Sequence, residues 1–423
     1  MQINNSNKTI LNNGVRIVTE NIPGVRSVSI GIWVGVGSRN ETSSESGISH
    51  FIEHMLFKGT QKRSAAQIAE SLEAVGGQLN AFTTREYTCY YARVLDDNLD
   101  LAIDVLTDIF FNSIFADEMI EKERGVVEEE IRMYDDTPDE LIHDIAIQNI
   151  WPEDSLGRPI LGNYKSLNEI NTQKIMNYMN DNYLPSNCVV AVAGNVDHES
   201  ILNKLGGIFE CWNNKANMKE FNTPKKIFNV SNLYRKTEQV QICLSTDGLS
   251  YDDSRIYSLM ILNNVLGGGL SSRLMQSIRE NHGLAYSVYT YHSAFRNTGL
   301  FTIYVGTSPQ KYEDVLKLLF EELLDVYLNV ITQKELTNTK EQLKGNLYLG
   351  LESVNSRMIR LGRSELTLKR ILTPEEIVEK LYAVKMEDIC SLSEGLFAQN
   401  NFSLSTIGPL SKNTDLSIYK LTK

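Results

Sequence analysis

The segment HFIEHMLFKGT, beginning at His50, places two of the chain's six histidines four residues apart. On a helix, positions i and i+4 share a face, so His50 and His54 can turn their imidazoles toward one ion. Imidazole nitrogens suit zinc. Glu53 stands next to His54 and three residues after His50. It lies on the flank of that face, where it reaches a water on the metal rather than the metal itself. The order is HxxEH, the reverse of the HExxH zinc pattern. Two histidines leave a catalytic zinc site one protein ligand short. The other histidines, His143, His198, His282 and His292, are scattered along the chain, which favours a carboxylate as the third ligand. The run EKERGVVEEEIRMYDD supplies several. Glu123 and Glu130 are seven residues apart, two turns along one helix face and about 10 Å along its axis. Only one of them can ligate directly, and the other is placed to orient a ligand histidine from behind. The spacing leaves open which does which, and leaves open a solvated acidic face.

Such side chains need rigid elements to hold them. VSIGIWVGVGS (28–38) alternates as a strand does. SAAQIAESLEAVGG carries a capping box, Ser64 to Gln67, and a Gly76-Gly77 stop, which predicts a helix. NAFTTREYTCYYARVL predicts one or two strands, NLDLAIDVLTDIFF an amphipathic helix, 117–150 a further helical region, and NCVVAVAGNV (187–196) another strand. The second half repeats this order: strand VQICLSTDG, helix RIYSLMILNNVLGGG stopped by glycines, strand pair LAYSVYTYHSAFRNTGLFTIYVGT, helix YEDVLKLLFEELLDVY and closing strand NFSLSTIGPL. Gly194 and Gly408 lie 214 residues apart in matching strands, as a duplicated α+β unit of a little over 200 residues requires, although two similar α+β domains without common origin would give the same pattern. The polar, aperiodic stretch around Pro224 marks a linker at 216–227 between segments 1–215 and 228–423.

Composition narrows the function. Hydrophobic residues at 42% and charged residues at 22% are ordinary for globular domains. A net charge of −12 argues against nucleic acid as a partner. The five cysteines are far apart, odd in number and without a CxxC pair, which suits a reducing compartment and not a thiolate metal site. With no secretory pattern at the start and no long apolar run, the expectation is a soluble cytoplasmic protein without a membrane partner.

GISHFIEHMLFKGT, with a glutamate 76 positions after the second histidine, resembles the pitrilysin/insulinase family of zinc peptidases. Within it the chain is most similar to mitochondrial processing peptidase and its bacterial homologues. GGQLNAFTTREYTCYYARVL, EKERGVVEEEIRMYDDTPDE and GGGLSSRLMQSIRENHGLAYSV extend the resemblance over nearly the whole chain. The resemblance implies an α+β fold of two homologous α/β-sandwich domains arranged as a clamshell, the first catalytic and the second without the metal motif. It implies one zinc ion per chain on His50, His54 and Glu130, with Glu53 as general base and Glu123 supporting a ligand histidine. It implies that Asn80, Ala81, Phe82 and Thr83 form an edge strand that binds substrate backbone. Arg279 and Tyr286 match a pair brought to the substrate and the developing oxyanion. Glu140 and Asp144 match acidic positions that receive an arginine near the cleavage site, unless they are a solvated face. Unfolded peptides are the implied substrates and a homodimer the implied assembly, because one chain carries both the zinc half and the Arg–Tyr pair. Relatives that split these between two subunits, or that lost catalysis as core subunits, are the alternatives. With an offset near 212, His50, Glu53 and His54 fall on Leu262, Val265 and Leu266, so the second copy is apolar where the first is set to bind metal.

Overall fold

The computed structural model describes residues 6–214, 216, 219–397, 401–411 and 415. In chain order the strands are β1 (Ser6–Ile10), β2 (Arg16–Asn21), β3 (Ser27–Val34), β4 (Gln78–Thr83), β5 (Thr88–Leu95), β6 (Cys188–Gly194), β7 (Val230–Tyr234), β8 (Val240–Asp247), β9 (Ala285–Ala294), β10 (Gly299–Thr307) and β11 (Ser403–Gly408). The α-helices of the first half are α1 (Ile48–Met55), α2 (Ala65–Glu73), α3 (Leu99–Asn112), α4 (Asp117–Asp135), α5 (Pro138–Ile150), α6 (Tyr164–Asn168), α7 (Thr172–Asn182) and α8 (His198–Glu210). Those of the second half are α9 (Ile256–Gly267), α10 (Tyr312–Asn329), α11 (Gln333–Gly350), α12 (Val354–Leu368), α13 (Pro374–Ala383) and α14 (Met386–Phe397). None of the described helices is long and apolar enough to cross a membrane.

Local sequence explains most of these elements. Ser64 caps α2 by accepting from the Gln67 N–H, while Gln67 returns the bond to the Ser64 N–H. The helical region 117–150 is two helices, because Pro138 opens a new one at its first position. The strand predicted over 28–38 ends at Val34 and gives way to a 3₁₀ turn at Ser38–Asn40, whose first N–H donates to the Thr84 carbonyl. Of the segment expected as a linker, residues 217 and 218 lie outside the described set, and the rest of 216–227 has no regular secondary structure.

Two compact units result. The first comprises Met1–Arg132, Arg158–Glu220 and Tyr348–Thr373. Its sheet has the order β1-β2-β6-β3-β5-β4, with β2 and β6 parallel and every other pair antiparallel. The second comprises Met133–Gly157, Phe221–Leu347 and Pro374–Lys423, with the sheet order β7-β11-β8-β10-β9 and β7 parallel to β11. Leaving out β1, the two sheets share one topology, and Gly194 and Gly408 end equivalent strands.

Each unit borrows a helix from the other half of the sequence. In the first, α12 lies across β2, β3 and β6. It buries Val354, Met358 and Leu361 against Val18, Trp33, Val189 and Ala191. Gly362 permits the approach, since a Cβ there would stand 2.2 Å from the Trp33 indole nitrogen. Two ion-pair groups tie the same helix down: Glu20 with Arg357 and Arg360, and buried Glu365 with Lys8 and Arg16. The opposite face of β3, with Val28, Ile30, Ile32 and Val34, packs into the core formed with α1 and α3. β3 is therefore covered on both sides, and its alternation separates two apolar environments rather than core from water. In the second unit α5 covers β8 and β11, burying Ile142 and Ala146 against Cys243, Tyr304 and Ile407.

Candidate metal centre

Helix α1 begins at Gly47, whose backbone takes the left-handed conformation at φ +90°. Its first amides are satisfied by a buried side chain: Glu41 accepts from the Gly47 N–H at 2.8 Å and from the Ser49 N–H at 2.9 Å. Ile48, Phe51, Ile52 and Met55 anchor the helix in the core. This leaves His50 and His54 on one face, with ring centroids 4.5 Å apart.

Helix α4 brings carboxylates to that face. Glu130 Oε2 lies 3.8 Å from His50 Nε2 and 3.7 Å from His54 Nε2. Among the described residues these three side chains form a group whose ligand atoms all lie within 4.8 Å of one another. Two turns earlier, Glu123 does not join the group. Its Oε1 accepts from His54 Nδ1 at 2.7 Å, which leaves the Nε2 lone pair of His54 facing Glu130. Its Oε2 accepts from Lys58 Nζ at 2.8 Å. His50 Nδ1, in contrast, is buried without a hydrogen-bond partner among the described residues. Glu53 projects beside the pair and accepts a bond from the Thr83 hydroxyl at 2.5 Å.

The donor set suits a dication. Tetrahedral ligands on bonds of about 2.1 Å stand roughly 3.4 Å apart, close to the spacing of these nitrogens and oxygen. Of the three carboxylates, Glu123 pairs with the Lys58 ammonium and Glu53 accepts from Thr83, while Glu130 faces the two imidazoles. Burial, reinforced by His54, drives His50 down to about 3, so its imidazole is neutral at physiological pH. Burial also works against charging His54, but the bond and charge of Glu123, with Glu130 and Glu53, outweigh it and raise its pKa. Burial raises Glu130, opposed by His54 and reinforced by Glu123, and burial raises Glu53 against its bond from Thr83. For Glu123 burial is outweighed by the bonds from His54 and Lys58, which hold it below the usual carboxylate range.

The remaining candidates divide between the units. Asn80, Ala81, Phe82 and Thr83 lie on β4, the outer strand of the first sheet. A cleft of about 660 Å³ opens beside it, lined by Phe57, Lys58, Ile68, Leu72, Leu79 and Asn80 among others. In the second unit Arg279 belongs to a π-helical stretch, Met275–Asn281, and its guanidinium sits 5.1 Å over the Tyr286 ring. Tyr286 is 74% exposed, at the start of β9 where the register with β10 shifts. Glu140 and Asp144 lie one turn apart on α5, with Glu140 exposed and Asp144 half-buried.

Three supporting contacts have no local signal in the sequence. Thr83, expected on substrate backbone, also bonds Glu53. Lys58 follows His54 by four residues, a spacing that draws attention only if the turn after α1 folds back. Glu41 reaches the start of α1 from before the intervening turn, which no local pattern signals.

Comparison with known proteins identifies the family of the chain. The model for insulinase, peptidase family M16, matches residues 16–163, and that for the peptidase M16 inactive domain matches residues 169–343. The chain is 47% identical over 401 residues to the "Uncharacterized zinc protease YmxG" of Bacillus subtilis, covering 94% of this chain and 97% of that one. It is 41% identical over 414 residues to an uncharacterized zinc protease of Streptomyces coelicolor, covering 95% and 89%. Its fold matches the crystal structure of a protease from Helicobacter pylori with a TM-score of 0.87 at 20% identity, over 96% of this chain and 99% of that one. It also matches a peptidase M16 inactive domain from Pseudomonas fluorescens with a TM-score of 0.90 at 18% identity, over 97% and 99%. With relatives this similar over nearly their full length, the chain belongs to the insulinase family of peptidases, peptidase family M16.

Proposed function

We propose that the chain is a zinc-dependent endopeptidase acting on unfolded peptides or presequence-like segments, with one zinc per chain held by His50, His54 and Glu130. The observation that carries this reading is the convergence of those three donors with a fourth group, Glu53, that is not among them. A binding or carrier site has no use for a carboxylate base beside its ligands. When bound, zinc acidifies water and polarises the scissile carbonyl. Glu53 takes a proton from the attacking water and returns it to the leaving amine as the C–N bond breaks. Its pKa, raised by burial, suits both halves of that exchange. An extended substrate adds to the open edge of β4 along Asn80–Thr83, where main-chain hydrogen bonds fix the carbonyl with little demand on sequence. Tyr286 donates to the oxyanion, and Arg279, stacked over its ring, holds it ready. Glu140 and Asp144 receive an arginine side chain on the N-terminal side of the cut. We further propose a cytoplasmic homodimer, since one chain carries both the metal residues and the Arg279–Tyr286 pair.

A peptide-library digest read by mass spectrometry tests the reading. Wild type cleaves, chelator abolishes cleavage, and Glu53→Gln retains zinc but loses at least ~10³ in turnover. Near-normal hydrolysis by Glu53→Gln removes it from the base role. Arginine preference that is equal in wild type and in Glu140→Gln/Asp144→Asn removes those two from specificity.

A further inference from the structure

We propose that Lys58 is a positioning residue of the metal centre: its ammonium fixes the Glu123 carboxylate in the orientation that presents His54 Nε2 to the metal. This rests on the zinc reading above and adds a residue to it. Lys58 Nζ donates to Glu123 Oε2 at 2.8 Å, while Glu123 Oε1 holds His54 Nδ1 at 2.7 Å. The carboxylate has one oxygen for each partner, so its rotation is set only when both donors are present. The Glu123 side chain is 4% exposed and that of Lys58 29%. Without the ammonium, Oε2 is left in a buried place with no other donor among the described residues, and turning to find one breaks the bond to His54.

The backbone places Lys58 for this task. It lies in the turn directly after α1, where the Phe57 N–H donates to the His54 carbonyl and the Lys58 N–H to the Met55 carbonyl. Two residues on, the Thr60 N–H donates to the Arg63 carbonyl and closes the turn. The helix that carries the histidines and the cation that supports one of them are thus one continuous, tethered piece.

The second unit supplies an internal control. At the 212-residue offset that sets His54 on Leu266, Glu123 falls on Glu335 and Lys58 on Leu270. Glu335 is retained there but bound by Arg273, Nε to Oε1 at 2.6 Å and Nη2 to Oε2 at 2.8 Å. Leu270 is 70% exposed. A cation from the segment after the helix thus meets this carboxylate in both copies, but only in the first does the carboxylate give one oxygen to the cation and the other to a histidine. A plain ion pair that secures the turn would affect folding and leave metal affinity alone.

The test measures zinc affinity of the full chain at neutral pH by competition with a chromophoric chelator, together with melting of the zinc-free proteins. Lys58→Met is expected to weaken zinc about ten-fold, the lower end for residues that support a ligand histidine. Lys58→Arg, which keeps a donor to Oε2, is expected to stay within about three-fold of wild type. In a Glu123→Gln background Lys58→Met is expected to add no further loss, since the two act through one bond. Lys58→Gln is read the same way should Lys58→Met fold poorly. Wild-type affinity in Lys58→Met, with or without a lower melting temperature, overturns the proposal, as does an equal loss in both backgrounds. Failure of wild type to bind zinc stoichiometrically overturns the zinc reading itself, and this proposal with it.

Discussion

Helices α1 and α9 occupy the same place in their two units, each packed against the outer strand of its sheet, β4 for α1 and β9 for α9. The first presents His50, Glu53 and His54; the second, at equivalent positions, buries Leu262, Val265 and Leu266. The partners differ accordingly. Facing α1, Glu130 completes the donor group and Glu123 takes His54. Facing α9, the equivalent Gln342 accepts from the Asn264 amide at 2.9 Å and Glu335 is closed off by Arg273. One scaffold holds a polar centre or an apolar seam. The polar version needs outside support because each buried polar group costs free energy until it finds a partner. The apolar version needs only complementary volume.

The comparison breaks most completely if each half of the sequence can stand alone. Residues 1–215 lack α12, so one face of the first sheet, with Val18, Trp33, Val189 and Ala191, loses its cover. Glu20 also loses both of its arginines. The fragment is expected to show no cooperative unfolding transition by circular dichroism, and a sharp transition would mean that α12 is dispensable to the first unit. Adding residues 348–373 to it is expected to recover structure.

A smaller effect sharpens the contrast between the seams. Leu262→His/Leu266→His sets two histidines on α9 at the spacing they have on α1. It removes two buried leucines and buries imidazoles where Gln342 and the Arg273-bound Glu335 offer no free carboxylate. We expect destabilisation of at least about 3 kcal/mol, read from denaturant midpoints, and no zinc in metal analysis beyond that of wild type. Uptake of zinc beyond that of wild type would show that histidine spacing alone suffices.

The smallest effect concerns the retained carboxylate. For Glu335, burial is outweighed by the Arg273 bidentate pair and the Thr332 bonds, which pull it down to about 2 from its ordinary 4.5. Between those values the unfolded chain binds the extra proton, so stability rises with pH through this window. The contribution is complete above about 4.5 and is lost as pH falls toward 2. Arg273→Gln is expected to shift acid unfolding of the second unit to higher pH by a few tenths of a unit, as for a partly exposed pair. An unchanged acid limb would mean that the pair forms without stabilising.

Much of the candidate centre is legible in the sequence because its chemistry is local. His50, Glu53 and His54 lie within five residues, and a helix fixes their relative directions whatever surrounds it. The capping box at Ser64 and the glycines that close matching strands are equally local signals. Helical spacing also put Glu123 and Glu130 on one face, but could not say which meets the histidines directly. That depends on the crossing of α4 over α1, which sets Glu130 opposite both Nε2 atoms and Glu123 behind His54. Lys58 and Thr83 were invisible as supports for the same reason: each acts across a turn or from a neighbouring strand.

The sequence by itself determined two sets of like elements, a His-x-x-Glu-His motif in the first and apolar residues in its place in the second. Only the tertiary structure decided that α5 covers the second sheet and α12 the first. An amphipathic stripe records that a helix face will be buried, not which apolar surface buries it. That choice is made by shape and pairing: Gly362 against Trp33, Glu20 between Arg357 and Arg360, and Glu365 with Lys8 and Arg16. These contacts join residues more than 300 positions apart, where periodicity carries no information.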